Sequence, residues 1–184
     1  MQVSVEHKLL GPSQVRGLDL LLSLGGKRTA IVGVGQTLRA DDGFGPMVCS
    51  NIAGLVDAEV IDAGPVPENF IGPVLRSRPE NLIVIDAVEM GLRPGSIAAM
   101  SLEKVRPSRI STHCCSLDLF VGLIGIAIEG KAVLLGVQPA CLVFGGPISP
   151  EVMQAIEYVS RILIHILGPR YIKTPGPHIG PWRC

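Results

Sequence analysis

Residues 31–46, IVGVGQTLRADDGFGP, constrain this chain more than any other stretch. A β-branched apolar run ends in Gly33-Val34-Gly35. A short polar loop follows, and Asp41-Asp42-Gly43 stands at the expected start of a helix. Strand, tight turn, helix is the order that opens a parallel α/β fold. The glycines come close to a dinucleotide fingerprint, but Leu38 stands where the third glycine of GxGxxG belongs. Two carboxylates also occupy the place where a pyrophosphate needs bare backbone N–H groups. A phosphate charge about 4 Å from one carboxylate costs about 4 kcal/mol at an effective dielectric of about 20, so this helix start repels a dinucleotide and favours a cation. The same acids also suit plain capping, where they complement the helix dipole. One acid suffices for a cap, which leaves Asp42 the stronger candidate for a second task.

The rest of the chain repeats the alternation. Strands are expected at 29–35, 58–62, 82–85, 96–102 and 132–137, and helices at 15–24, 44–55, 67–76, 116–128 and 149–167. The unbroken tetrad Leu82-Ile83-Val84-Ile85 suits a central parallel strand covered on both faces. The weaker strand at 96–102 belongs at an edge, with its direction open to antiparallel pairing. Residues 106–115 read as loop. The helix at 116–128 is apolar nearly all round and is expected to be well buried. Ser149-Pro150-Glu151 starts the last helix with a cap and a first-turn proline. The fold class is α/β: a three-layer sandwich with a mostly parallel, twisted five-stranded sheet and helices on both faces. Residues 1–168 form one domain, of which 1–27 are an N-terminal extension. Residues 169–184 make a tail rich in proline and glycine, expected to be extended or disordered. His178, Trp182 and Cys184 leave two readings of that tail open, a solvating segment or a peptide that docks in a groove.

Composition narrows the function classes. At 184 residues the chain supports one good core, since a domain of about 150 residues buries about 70% of its unfolded surface. Sixteen basic and sixteen acidic residues balance, so net charge announces no nucleic-acid or anionic-membrane partner. The longest glycine-tolerant apolar run, 119–128, is about half of the roughly 20 residues that a membrane helix needs, so no membrane insertion is expected. The N-terminus lacks the pattern of a signal peptide, which makes the cytoplasm the expected location. Cysteines 49, 114, 115, 141 and 184 form no C-x-x-C pair, against both a disulfide scaffold and a structural zinc site. Cys49 and Cys141 lie in apolar company and read as small core residues.

Ligands of such sheets bind at the carboxyl ends of the strands. Three groups converge there: Asp42 after the first strand, Asp86 closing the central one, and His113 in the loop before the helix at 116–128. Two carboxylates and an imidazole make an open metal site of hard to borderline character, with room for outside ligands. Asp62, at the end of the second strand, is a further candidate, either as a ribose acid in a nucleotide site or as a neighbour of the cleft. Cys114 and Cys115 follow His113, but adjacent residues rarely face each other, so no cysteine–histidine dyad is expected.

The segment GVGQTLRADDGFGP resembles the opening motif of the hydrogenase maturation endopeptidases. Four more stretches agree in order: VIDAG with PEN at 60–69, LIVIDAVEMGLRPG at 82–95, STH at 111–113 and LGVQP at 135–139. The wording EMGLRPG and GVQP is most similar to the branch serving formate-hydrogenlyase and related hydrogenases. The resemblance implies an endopeptidase that trims the C-terminal extension of a nickel-iron hydrogenase large-subunit precursor after nickel insertion. It implies nickel binding at Asp42, Asp86 and His113, with the metal carried by the substrate and no resident cofactor. No serine nucleophile elbow, HExxH helix or paired DTG motif is present, so the implied hydrolysis uses water, with Asp42 or Asp86 as base and nickel as Lewis acid or positioning element. Two other functions stay open at this point: a non-catalytic, nickel-dependent maturation chaperone, and a Rossmann-like nucleotide-binding module. One departure from the family pattern is Gln36, where asparagine is usual; it bears on the hydrogen bonding of the loop.

Overall fold

The computed structural model describes residues 15–102 and 114–169, without the side chains of 114–116. Six strands form one sheet: β1 (Val15–Arg16), β2 (Thr29–Val34), β3 (Glu59–Gly64), β4 (Asn81–Ala87), β5 (Ile97–Ser101) and β6 (Ala132–Val137). Their spatial order is β1-β5-β6-β4-β2-β3. All neighbours run parallel except β5 and β6, which are antiparallel. Every residue of β2 and of β4 is buried, as an apolar run covered on both faces requires.

Helices cover both faces. On one side lie α1 (Leu18–Leu22), α2 (Phe44–Ile52) and α5 (Pro150–Leu167), whose Leu21, Phe44, Ile52, Ile156 and Leu163 pack on Ile31, Ile83 and Leu135 of the sheet. On the other lie α3 (Ile71–Arg76) and α4 (Cys114–Gly125), where Val74, Leu117, Phe120 and Ile124 pack on Val32, Val84 and Leu134. The alternation of odd and even strand positions between the two clusters is the period of two that a pleated sheet imposes. Burying each such aliphatic side chain contributes about 1.5–3 kcal/mol.

Three sequence readings change. Residues 15–24 are not one helix: Gly17, at φ 78°, divides them, and Val15–Arg16 becomes a sixth strand paired parallel with β5. A side chain at position 17 would also run into the main chain of Ala99, so glycine is needed there twice over. The strand β5 is therefore not at the edge expected for 96–102 but between β1 and β6, while its pairing with β6 is antiparallel, the direction the sequence leaves open. Finally, α4 is not buried all round. It buries one stripe, while Leu119 is 53% and Leu123 48% exposed, because α4 forms the outer layer of its side. Of the loop expected at 106–115, residues 106–113 fall outside the described residues and Cys114 and Cys115 already belong to α4; of the tail expected at 169–184, residues 170–184 fall outside them.

The first helix after β2 is shorter than the sequence pattern suggests and is preceded by a 3-10 turn, Ala40–Gly43. It can lie against the sheet because Gly33 and Gly45 meet there: a Cβ on Gly33 would come 2.6 Å from the Gly45 carbonyl oxygen, and one on Gly45 2.7 Å from the Val34 nitrogen. Gly45→Ala is therefore expected to cost about 2–3 kcal/mol in urea unfolding through overpacking against main chain. Gly122→Ala, in α4 with no atom within 4 Å of the added methyl, is expected to stabilise by about 0.5–1 kcal/mol in the same measurement.

Candidate active site

The loop after β2 reaches the carboxyl edge of the sheet and turns back into α2. Gly35 sits at φ 135°, and its N–H donates to the Gly64 carbonyl at the end of β3, 3.0 Å away. A side chain there would strike the Asp42 carbonyl, so this glycine admits the acidic turn against the loop. The N–H of Gln36 donates to Asp42 Oδ2 at 2.9 Å, that of Arg39 to the Gln36 carbonyl at 2.9 Å, and that of Asp42 to the Arg39 carbonyl at 3.1 Å. Gln36 Oε1 accepts from the Leu38 N–H at 3.4 Å, across the two-residue reach that asparagine uses in an Asx turn. Its longer side chain thus preserves the loop's local bond. With these N–H groups spent, and two carboxylates at the turn, a pyrophosphate finds neither donors nor favourable charge here. The nucleotide-binding reading fails on this geometry.

Asp41 and Asp42 are both fully buried, and neither acts as a simple cap: the turn has no side-chain cap bond. Asp41 points across to the segment after β6. Its Oδ2 accepts from the N–H groups of Ala140 (2.8 Å) and Cys141 (2.9 Å) and from the Ser149 hydroxyl (3.0 Å), and its Oδ1 accepts from the Ser149 N–H (2.7 Å). The main-chain N–H of Asp41 returns a bond to the Cys141 carbonyl at 3.1 Å. Ser149 in turn caps α5, accepting from the Val152 N–H at 3.4 Å, as its place before Pro150 suggested. One carboxylate therefore ties the β2 loop, the β6 loop and the start of α5 together. Sequence reasoning weighed Asp41 only as a cap or a cation ligand; the partners lie about a hundred residues away, beyond any local pattern.

Asp86 is fully buried in β4, one residue past the last β2–β4 pair, Gly33 with Ile85, and opposite Gly136 of β6. The strand that bears it lies between the two strands whose loops Asp41 joins. Behind it the chain is held by Gln138, whose Oε1 accepts from the N–H groups of Met90 (2.8 Å) and Leu92 (3.2 Å) and whose amide donates to Glu89 at 3.0 Å. A buried glutamine at the end of an apolar strand was the available signal for this link between EMGLRPG and GVQP. Among the described residues no three His, Cys, Asp or Glu side chains gather closely enough to hold a metal; His113 lies outside those residues, directly before α4. Asp62 is exposed at the end of β3, and its Oδ1 accepts from the Gly64 N–H at 3.0 Å, closing the strand's last turn.

The motifs at 33–46, 60–69, 82–95 and 135–139 lie among the described residues and border one sheet edge, and comparison with known proteins agrees with this setting. The family model described as hydrogenase maturation protease matches residues 50–166, more than half of the chain. The chain belongs to the hydrogenase maturation protease family. It is 32% identical over 133 residues to the hydrogenase 3 maturation protease of Escherichia coli K12, a match covering 71% of this chain and 85% of that protein. Among solved structures it is similar to the maturation protease HycI of Thermococcus kodakarensis, with a TM-score of 0.73, 26% identity and coverage of 80% and 98% of the two chains. The solution structure of the endopeptidase HycI from Escherichia coli matches with a TM-score of 0.66 and 28% identity, over 75% of this chain and 90% of that one. The fold of this maturation protease, helices on both faces of a largely parallel sheet, is thus similar to that of solved members of the family.

Two cysteines near the site differ in character. Cys49, in α2, is buried as expected, and burial, with Asp62 adding to it, raises its thiol from the ordinary 9.0 to about 12 despite a backbone hydrogen bond from Gly33. Cys141 is not a core residue but partly exposed, because its loop runs over the sheet edge. Native protein at mildly alkaline pH is expected to be alkylated at Cys141 and spared at Cys49, as peptide mass spectrometry would read. A raised thiol pKa stabilises the fold below about 9 and loses that contribution as pH climbs towards about 12, so the urea midpoints of parent and Cys49→Ala should converge over that range. Asp41→Ala leaves three main-chain N–H groups without their acceptor, and is expected to cost about 3–5 kcal/mol in urea unfolding.

Proposed function

We propose that this chain is the endopeptidase that removes the C-terminal extension of a nickel-iron hydrogenase large-subunit precursor after nickel has been inserted. The observation that carries the proposal is the pair of fully buried carboxylates at one carboxyl edge, Asp42 in the turn after β2 and Asp86 near the end of β4. His113, directly before α4, is the third member of the set. Nickel belongs to the substrate and the enzyme needs no resident cofactor: two carboxylates and an imidazole leave a metal site incomplete until a large subunit brings the ion on its own ligands. Loading of the metal thereby becomes the condition for cleavage. One of the two acids takes a proton from the attacking water as it adds to the scissile carbonyl, and returns it to the departing amine. The nickel positions the scissile segment or polarises its carbonyl. The reaction takes place in the cytoplasm, where the precursor is assembled.

Asp42→Asn, Asp86→Asn and His113→Ala are each expected to abolish processing of nickel-loaded precursor, with the far-ultraviolet dichroism unchanged. Purified enzyme should contain no stoichiometric metal by elemental analysis. Parental processing rates in any of the three variants would remove that residue from the site. A parent protein that binds loaded precursor without shortening it would instead be a maturation chaperone.

A further inference from the structure

The segment that follows β6, residues 138–150, contains no charged side chain although it forms surface. Its tip is apolar and open: Val143 is 63% and Phe144 72% exposed. Leu38, on the loop after β2, is 57% exposed, and the two loops are joined where the Gly145 N–H donates to the Leu38 carbonyl at 2.7 Å. A surface loop without charge that displays a phenylalanine is unusual unless something covers it. The exposure is also not that of a loose loop. The Gly146 N–H closes a turn on the Val143 carbonyl at 3.2 Å, and at both ends the segment is held by the buried Asp41 through Ala140, Cys141 and Ser149.

The place of these residues decides the occupant. Leu38 lies four residues before Asp42, within the same loop and turn, and the β6 segment reaches the same turn across the end of β4, which bears Asp86. A protein substrate whose peptide bond is cut at those acids must rest on the surface beside them. We propose that Leu38, Val143 and Phe144 form a fixed apolar lip that receives apolar side chains of the precursor next to the scissile segment. This lip rests on the protease reading above, and it supplies affinity where the two acids supply chemistry. Asp41 is its positioning residue, because the same carboxylate that orders the turn of Asp42 fixes the loop of Phe144.

The test compares initial rates of processing across a range of nickel-loaded precursor concentrations. The variants are Phe144→Ser, Val143→Ser and, as a control on the outer face of α4, Leu119→Ser. Removing an exposed aromatic anchor should raise KM about tenfold with kcat within about twofold, and melting temperature should stay within about 2 °C of the parent. Val143→Ser should shift KM in the same direction, and Leu119→Ser should leave both constants alone. If the parent cleaves and both lip variants keep the parental KM, the lip is wrong and the protease reading stands. If the lip variants lose kcat with KM intact, or if sedimentation shows a parental dimer that Phe144→Ser dissolves, the precursor is not the occupant. If the parent does not shorten the precursor at all, the protease reading falls and the lip falls with it.

Discussion

The carboxylate of Asp41 is the interaction on which the functional edge of this protein depends. Four donors from two distant segments meet its two oxygens, and all of them are main-chain N–H groups or the hydroxyl of Ser149. An ionised group without exposure is tolerated only when such bonds replace its hydration, and hydrogen bonds to a charged acceptor are worth about 1.5–3 kcal/mol each. The arrangement converts a costly burial into a geometric constraint. The loops after β2 and β6 cannot move apart without exposing the charge, so the turn of Asp42 and the segment leading into α5 share one position.

The glycines of the opening motif take their meaning from the same constraint. In a dinucleotide site such glycines let phosphate approach the main chain. Here Gly33 admits α2 to the sheet and Gly35 admits the acidic turn to the loop. The strand–turn–helix entry is thus used to deliver a carboxylate to the carboxyl edge, and the local N–H groups are consumed in holding it. Gln138 serves the neighbouring loop in a similar way, collecting the N–H groups of Met90 and Leu92 beyond the strand that bears Asp86.

Most of the sheet was legible from pattern, because unbroken apolar runs such as 82–85 have few alternatives to a covered strand. That Asp42 and Asp86 lie at neighbouring strand ends follows from topology once β2 and β4 run parallel, whereas their complete burial is visible only in the structure. What escaped was of three kinds. Val15–Arg16 is too short to show a period, and only the partner β5 makes it a strand. Asp41, Gln138 and the exposed position of Cys141 depend on contacts across long sequence separations, which no local window registers. The outer stripe of α4 was misjudged because composition shows how apolar a helix is and not whether another layer lies outside it.

The central claim is that metal loading of a protein substrate licenses cleavage at an edge built around Asp42 and Asp86. Intact-mass measurement of one large-subunit precursor, incubated with the parent protein in nickel-loaded and nickel-free forms, tests it most directly. The account predicts loss of the C-terminal extension from the loaded form and an unchanged mass for the nickel-free form. Equal shortening of both forms, or of neither, would contradict it.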